Sequence, residues 1–178
     1  MDCCKVPKPA SDARTRCPSC GAVGKEVGDE TIQALLGPED SLQLLALERR
    51  FCRTPGCAVL YYGSDGRLVN KDASKVRVGQ KETLDPVQLC YCFDFFRSDV
   101  RAEVAKSGEC SIPGRITAEV RAGRCACERM NPSGACCLGD VNRAVKEAQV
   151  ALARSRERSA AAPETPVNQR PEEAIRDE

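Results

Sequence analysis

Apolar residues recur at three- or four-residue spacing along three stretches of the second half of the chain. They are Phe96, Val100 and Val104; Ile112, Ile116 and Val120; and Val141, Val145, Ala148 and Leu152. Such spacing puts side chains on one face of a helix, so three amphipathic helices are predicted. Ser98 is expected to cap the first, which ends at Gly108. Ser111 caps the second, which ends at Gly123, and the third starts near Asp140. A ten-residue helix is only about 15 Å long. A hairpin of the first two helices therefore returns the chain close to where it began.

The first half carries shorter signals. Residues 47–51 and 58–62 read as strands, with a third at 67–70 after the Asp65-Gly66 turn and an extended piece at 75–78. Helices are predicted at 31–36, ended by Gly37-Pro38, and around 41–47. Residues 79–86 are polar and read as a link between two lobes. The division that follows is an arm at 1–16, a lobe at 17–82, a helical lobe at 83–158 and a disordered tail at 159–178. The tail carries three prolines and many charges. The fold class expected is α+β.

Composition sharpens this picture. The chain has 178 residues, 13 of them Cys, with no Trp and four Phe. A large aliphatic core is not expected, and small lobes stapled by metal fit better. Formal net charge is +1, which argues against a nucleic-acid or membrane binder. Arg154, Arg156 and Arg158 read as a solvated helix end. There is no His, which excludes His-bound zinc catalysis, Rieske-type ligation and His general bases. No paired-carboxylate site or Gly-rich phosphate loop stands out, and no enzyme activity is predicted. The start, Met1-Asp2-Cys3-Cys4-Lys5, has no apolar signal core, and no long apolar run follows. A cytoplasmic protein without membrane insertion is expected. In a reducing compartment, closely paired thiols read as metal ligands rather than disulfides.

The pairs fall into two sets. Cys17-Pro18-Ser19-Cys20-Gly21 is a knuckle that points two thiolates to one side, and Cys52-Arg53-Thr54-Pro55-Gly56-Cys57 presents two more at a hairpin tip. Four thiolates make a closed tetrahedral site, typical of structural zinc. The second set is Cys90-Tyr91-Cys92 before the helical hairpin, with Cys125, Cys127, Cys136 and Cys137 after it. Zinc and iron–sulfur centres both accept such thiolates. Iron is favoured by the surplus of thiols, by their place in loops at helix ends, and by the backbone N–H groups offered by Asn131-Pro132-Ser133-Gly134. The third helix aims the positive end of its dipole at these sulfurs. Cys110 lies between helices and is expected to pack as a small apolar residue. Cys3-Cys4 on the arm is a candidate for capture of a soft ion such as Cu(I).

Several words of the sequence occur in one order over residues 17–141: Cys17-Pro18-Ser19-Cys20-Gly21, Phe51-Cys52 with Cys57, Leu89-Cys90-Tyr91-Cys92-Phe93, and Cys125-x-Cys127 followed by Asn131-Pro132-Ser133-Gly134-x-Cys136-Cys137-Leu138-Gly139-Asp140-Val141. Together they resemble the N-terminal domain of the CopZ-type copper chaperones. The resemblance implies a mononuclear zinc site in the first half and a [2Fe–2S] cluster in the second, the latter similar in plan to bacterioferritin-associated ferredoxin. By the same resemblance the zinc ligands are Cys17, Cys20, Cys52 and Cys57. The cluster ligands are Cys90, Cys92, Cys127 and Cys137, with Cys125 and Cys136 as alternates. The GMxCxxC copper-binding domain of the full-length family does not appear in these residues. Copper or another soft metal ion is the implied cargo, and a copper-transporting ATPase or a separate copper-binding domain the implied partner. The rival expectations are a ferredoxin-like electron carrier without a copper role and a two-zinc adaptor.

Overall fold

The computed structural model describes residues 13–160. The arm thiols Cys3 and Cys4, and the predicted tail beyond residue 160, lie outside the described residues. The fold mixes helix and antiparallel sheet, as expected of an α+β chain.

The first half is built on a sheet whose strands follow chain order: β1 (Lys25–Glu26), β2 (Arg49–Phe51), β3 (Val59–Gly63) and β4 (Leu68–Asn70). β2 and β3 pair antiparallel with Phe51 opposite Tyr61, so the predicted hairpin forms with Cys52 and Cys57 in its connection. β3 is buried along its whole length because both faces are covered. Helices α1 (Asp29–Leu35) and α2 (Pro38–Leu44) bring Ile32, Leu36 and Leu44 to a core shared with Phe51, Leu60, Tyr61 and Val69. Cys17, Cys52, Val59 and Tyr62 form a second, smaller cluster.

Element ends differ from the sequence reading for local reasons. α1 begins two residues earlier than predicted, with Asp29 and Glu30 in its first turn, where acidic side chains suit the helix dipole. Pro38, read as a terminator, is instead the first residue of α2, since its missing N–H costs nothing there. The chain leaves α2 through Ala46 in a left-handed conformation (φ 68°), so β2 starts only at Arg49. Buried Arg49 donates to the carbonyls of Leu44 (3.0 Å) and Leu47 (3.1 Å) and pairs with Asp29, tying the end of α2 to the start of α1.

The second half starts with a hairpin of β5 (Gln88–Cys90) and β6 (Phe95–Phe96), which the sequence pattern does not announce. Then come α3 (Arg97–Ser107), α4 (Ile112–Arg121), the single turn α5 (Cys127–Met130), and α6 (Leu138–Ala160). The three predicted helices exist, but their caps differ. α3 is preceded by Phe96, not Ser98: the Phe96 N–H donates to Asp99 Oδ2 at 2.8 Å, and Phe96 belongs to β6 rather than to the helix face. Gly108 ends α3 with φ 80°, as a left-handed C-cap requires. Ser111 precedes α4, but its N–H and hydroxyl turn to the Glu103 carboxylate at 2.6 and 3.2 Å. Val100, Val104, Ile112, Ile116, Val141 and Ala144 share one core, because α6 lies against both α3 and α4. The expected two-helix hairpin is thus a three-helix packing.

The polar stretch 79–86 is packed at its start and exposed from residue 83 on. Gly79 and Lys81 are buried in a short 3-10 turn. A Cβ on Gly79 would meet the Gln88 carbonyl, so only Gly fits there. The Gly79 N–H donates to the Tyr91 hydroxyl at 2.7 Å, and that hydroxyl donates to the Arg77 carbonyl at 3.1 Å. The two halves also meet where α1 lies against α5.

Candidate metal centres

The first thiol set is assembled by the sheet. Around Cys17 the chain folds back tightly: Gly21 N–H donates to the Cys17 carbonyl at 2.8 Å, and Cys17 N–H to the Ala22 carbonyl at 2.8 Å. Gly21 has φ 72°, the left-handed conformation that lets the backbone turn beneath the two sulfurs. Across the sheet, Cys52 N–H donates to the Leu60 carbonyl at 2.9 Å, which holds Cys52 at the end of β2. The sulfurs of Cys17, Cys20, Cys52 and Cys57 all lie within 4.8 Å of one another. Cys20 and Cys52 are 3.6 Å apart. Four sulfurs on a tetrahedron with bonds of about 2.3 Å stand about 3.8 Å apart, so this donor set fits zinc.

The two thiols of the Cys17–Cys20 knuckle are shifted in opposite directions. Burial pushes the Cys17 thiol up to about 12, against the backbone N–H groups of Cys20 and Ser19 that favour its thiolate. Cys20, at the surface, is lowered to about 6, chiefly by the Thr54 hydroxyl 3.2 Å from its sulfur. Nothing in the sequence singles out Thr54, and the same holds for Lys81. Lys81 is buried, with Nζ 3.3 Å from the Thr54 carbonyl. A lysine in a polar stretch reads as solvated, and no local signal marks this one as buried.

The second set gathers at the tips of the helical half. β5 ends at Cys90, which is buried, and Cys92 follows in the hairpin turn. Cys127 opens α5, and Cys137 immediately precedes α6, whose first turn begins with Asp140 and Val141 N–H donating to the Cys137 carbonyl at 3.0 Å each. α6 therefore starts two residues earlier than predicted, directly after a thiol. Cys92 and Cys127 sulfurs are 3.8 Å apart, and the Ala126 N–H donates to Cys92 at 3.3 Å. The Cys137 thiol is raised by its hydrogen bonds to Cys127 and Cys90. The same contact lowers Cys90 to about 7 and Cys127 to about 5. Cys92 is pushed up to about 11 by burial.

The sulfurs of Cys92 and Cys127 thus meet directly, while Cys90 and Cys137 are buried in the core against which Cys92 packs. Among the described residues these four do not form a set with every sulfur within 4.8 Å, as the first four do. Of the alternates, Cys136 is exposed and touches Cys127, while Cys125 is half-buried. Cys110 is half-buried against the core of the helical half.

Comparison with known proteins places this geometry. Residues 14–75 match zf_CopZ, a zinc binding domain. The copper chaperone CopZ of Archaeoglobus fulgidus is 30% identical over 122 residues, which cover 68% of this chain and 57% of that protein. The chain thus spans little more than half the length of that curated relative. The X-ray structure of the Archaeoglobus fulgidus CopZ N-terminal domain superposes with a TM-score of 0.57 at 27% identity, covering 72% of this chain and 95% of that one. The matched segment contains all four sulfurs of the first set, so the sheet half is a zinc-binding domain. In sequence and in fold, the chain is similar to the N-terminal domain of a CopZ copper chaperone.

Proposed function

We propose that this protein is a cytoplasmic metallochaperone-like protein in copper or other soft-metal handling, with zinc on Cys17, Cys20, Cys52 and Cys57 and a [2Fe–2S] cluster on Cys90, Cys92, Cys127 and Cys137. The zinc holds the fold together, because a closed four-thiolate site leaves no position for substrate. The carrying observation for the second centre is the Cys92–Cys127 approach of 3.8 Å across the helical half, with Cys90 and Cys137 buried in the core against which Cys92 packs. A looser set than the zinc site suits a two-iron group, which is longer than one ion. When bound, the cluster supplies one electron at a time, enough to convert Cu(II) to the Cu(I) that thiolates hold. The chain's own residues contribute the Ala126 N–H to Cys92 and the α6 N-terminus behind Cys137, both favouring the anionic form. Among the described residues no helix is long and apolar enough to cross a membrane. The partners proposed are a copper-transporting ATPase or a separate copper-binding domain, without nucleic acid. The protein is proposed to have no turnover of its own.

The test is anaerobic purification with metal and sulfide analysis, a visible spectrum, and electron paramagnetic resonance after dithionite. Two irons, acid-labile sulfide, one zinc and Cu(II) reduction by the reduced protein are expected. A colourless protein with two zincs overturns the cluster and favours the adaptor reading.

A further inference from the structure

The loop that carries Cys127 and Cys137 is held from outside its own half. The Tyr61 hydroxyl, on a fully buried side chain of β3, donates to the Pro132 carbonyl at 2.7 Å. Thr31, buried in α1, donates through Oγ1 to the Glu128 carbonyl at 2.6 Å, one residue beyond Cys127. The same Thr31 hydroxyl would lie only 2.7 Å from a Cβ placed on Gly134. Gln80 Nε2 donates to Asn131 Oδ1 at 3.0 Å, an oxygen that also accepts the Ser133 N–H at 3.0 Å. Asn131 and Ser133 are buried polar residues, and a buried loop with satisfied groups holds one shape.

These clamps belong to the zinc half by short paths. Tyr61 packs on the Phe51 ring at 6.0 Å, and Phe51 adjoins Cys52. Thr31 adjoins Ile32 in the core that Phe51 shares. Losing the first metal would loosen both anchors, because a structural zinc supplies folding energy to the segment it closes.

We propose that Tyr61 and Thr31 are positioning residues for the second centre: the folded zinc half clamps residues 127–137 so that the Cys127 and Cys137 thiols stand where their metal group needs them. This rests on the reading that the second thiol set carries a metal group. It makes the retention of the second metal depend on the integrity of the first site.

The test uses the full chain purified without oxygen, as wild type, Tyr61→Phe and Thr31→Val. Each substitution removes a hydroxyl and keeps the shape. Three quantities are measured: zinc per chain, hydrogen exchange at the amides of Arg129, Met130, Asn131 and Gly134, and the rate at which the second metal is lost to excess chelator. Zinc should stay at the wild-type level, while exchange and second-metal loss each rise about tenfold, the effect of leaving a buried carbonyl unpaired. Wild-type rates in both variants overturn the proposal, and so does loss of zinc in step with the second metal. The wild-type metal content separately decides the cluster. If the second metal is zinc, the ratio of variant to wild-type release still decides the clamp.

Discussion

Lys81 Nζ lies 3.3 Å from the Thr54 carbonyl while the Lys81 carbonyl accepts the Gly56 N–H at 3.1 Å, so one buried lysine grips both sides of the turn between Cys52 and Cys57. Its ammonium also stands 5.7 Å from the centre of the Phe51 ring. Burying a cation is costly unless opposite charge lies close by. Four thiolates around one divalent ion carry net negative charge, which supplies that compensation. Lys81→Met keeps most of the stem and removes the charge. Zinc affinity should fall about 10- to 100-fold, the range for a hydrogen bond from a charged group. Competition against a chromophoric chelator measures it, and an unchanged affinity would reduce Lys81 to packing.

Extraction of zinc should cost the sheet half its fold. Its core joins two seven-residue helices to strands of two to five residues, too little to stand without the thiolate closure. Strong chelation is expected to abolish the near-ultraviolet signal of Tyr61 and Tyr62, both buried, and re-addition of zinc should restore it. A near-ultraviolet spectrum that survives complete zinc removal would contradict this.

The Glu103 carboxyl is held below its usual range, chiefly by the Ser111 N–H, which donates to it at 2.6 Å. A carboxylate with a depressed folded-state pKa contributes stability that is fully present above its unfolded value of about 4.3 and is lost as pH falls through the lower folded value. Glu103→Gln should therefore lower the melting temperature at pH 7, and the gap to wild type should close as pH drops below about 4.3. The difference between the two proteins isolates this carboxylate from acid release of metal, which both undergo. A gap independent of pH would refute the linkage.

Gly134 has φ 60° and stands against the Thr31 hydroxyl. Gly134→Ala should destabilise by about 1–2 kcal/mol for the left-handed backbone alone, with the clash added. In the Thr31→Ala background the clash disappears and only the backbone part should remain. Chemical denaturation of the four proteins of this cycle measures it, and strict additivity would place the whole cost in the backbone.

Much of the site could be read without coordinates. The four-residue recurrence of Val100 with Val104 and of Ile112 with Ile116 marks helices because a helix turns in 3.6 residues, a local rule that needs no partner. The Cys17–Cys20 and Cys52–Cys57 spacings are likewise local, as each lies within one turn of chain. The starts of the helices were less legible. Ser98 and Ser111 look like caps, yet Asp99 bonds the N–H ahead of α3, and Ser111 turns to Glu103. A carboxylate three residues on takes the N–H ahead of α3, and one eight residues back takes both donors of Ser111, and spacing alone does not announce either.

The sequence by itself determined which thiols sit in tight pairs, where the helical faces lie, and that no imidazole takes part. Tertiary structure alone decided what the pairs face. Cys20 meets Cys52 only because the sheet brings together residues 32 apart, and Tyr61 reaches Pro132 across 71. It also buried Lys81, which sits in a stretch that reads as solvent-facing. Periodicity is a property of neighbouring residues, whereas burial and pairing depend on distant segments competing for the same space.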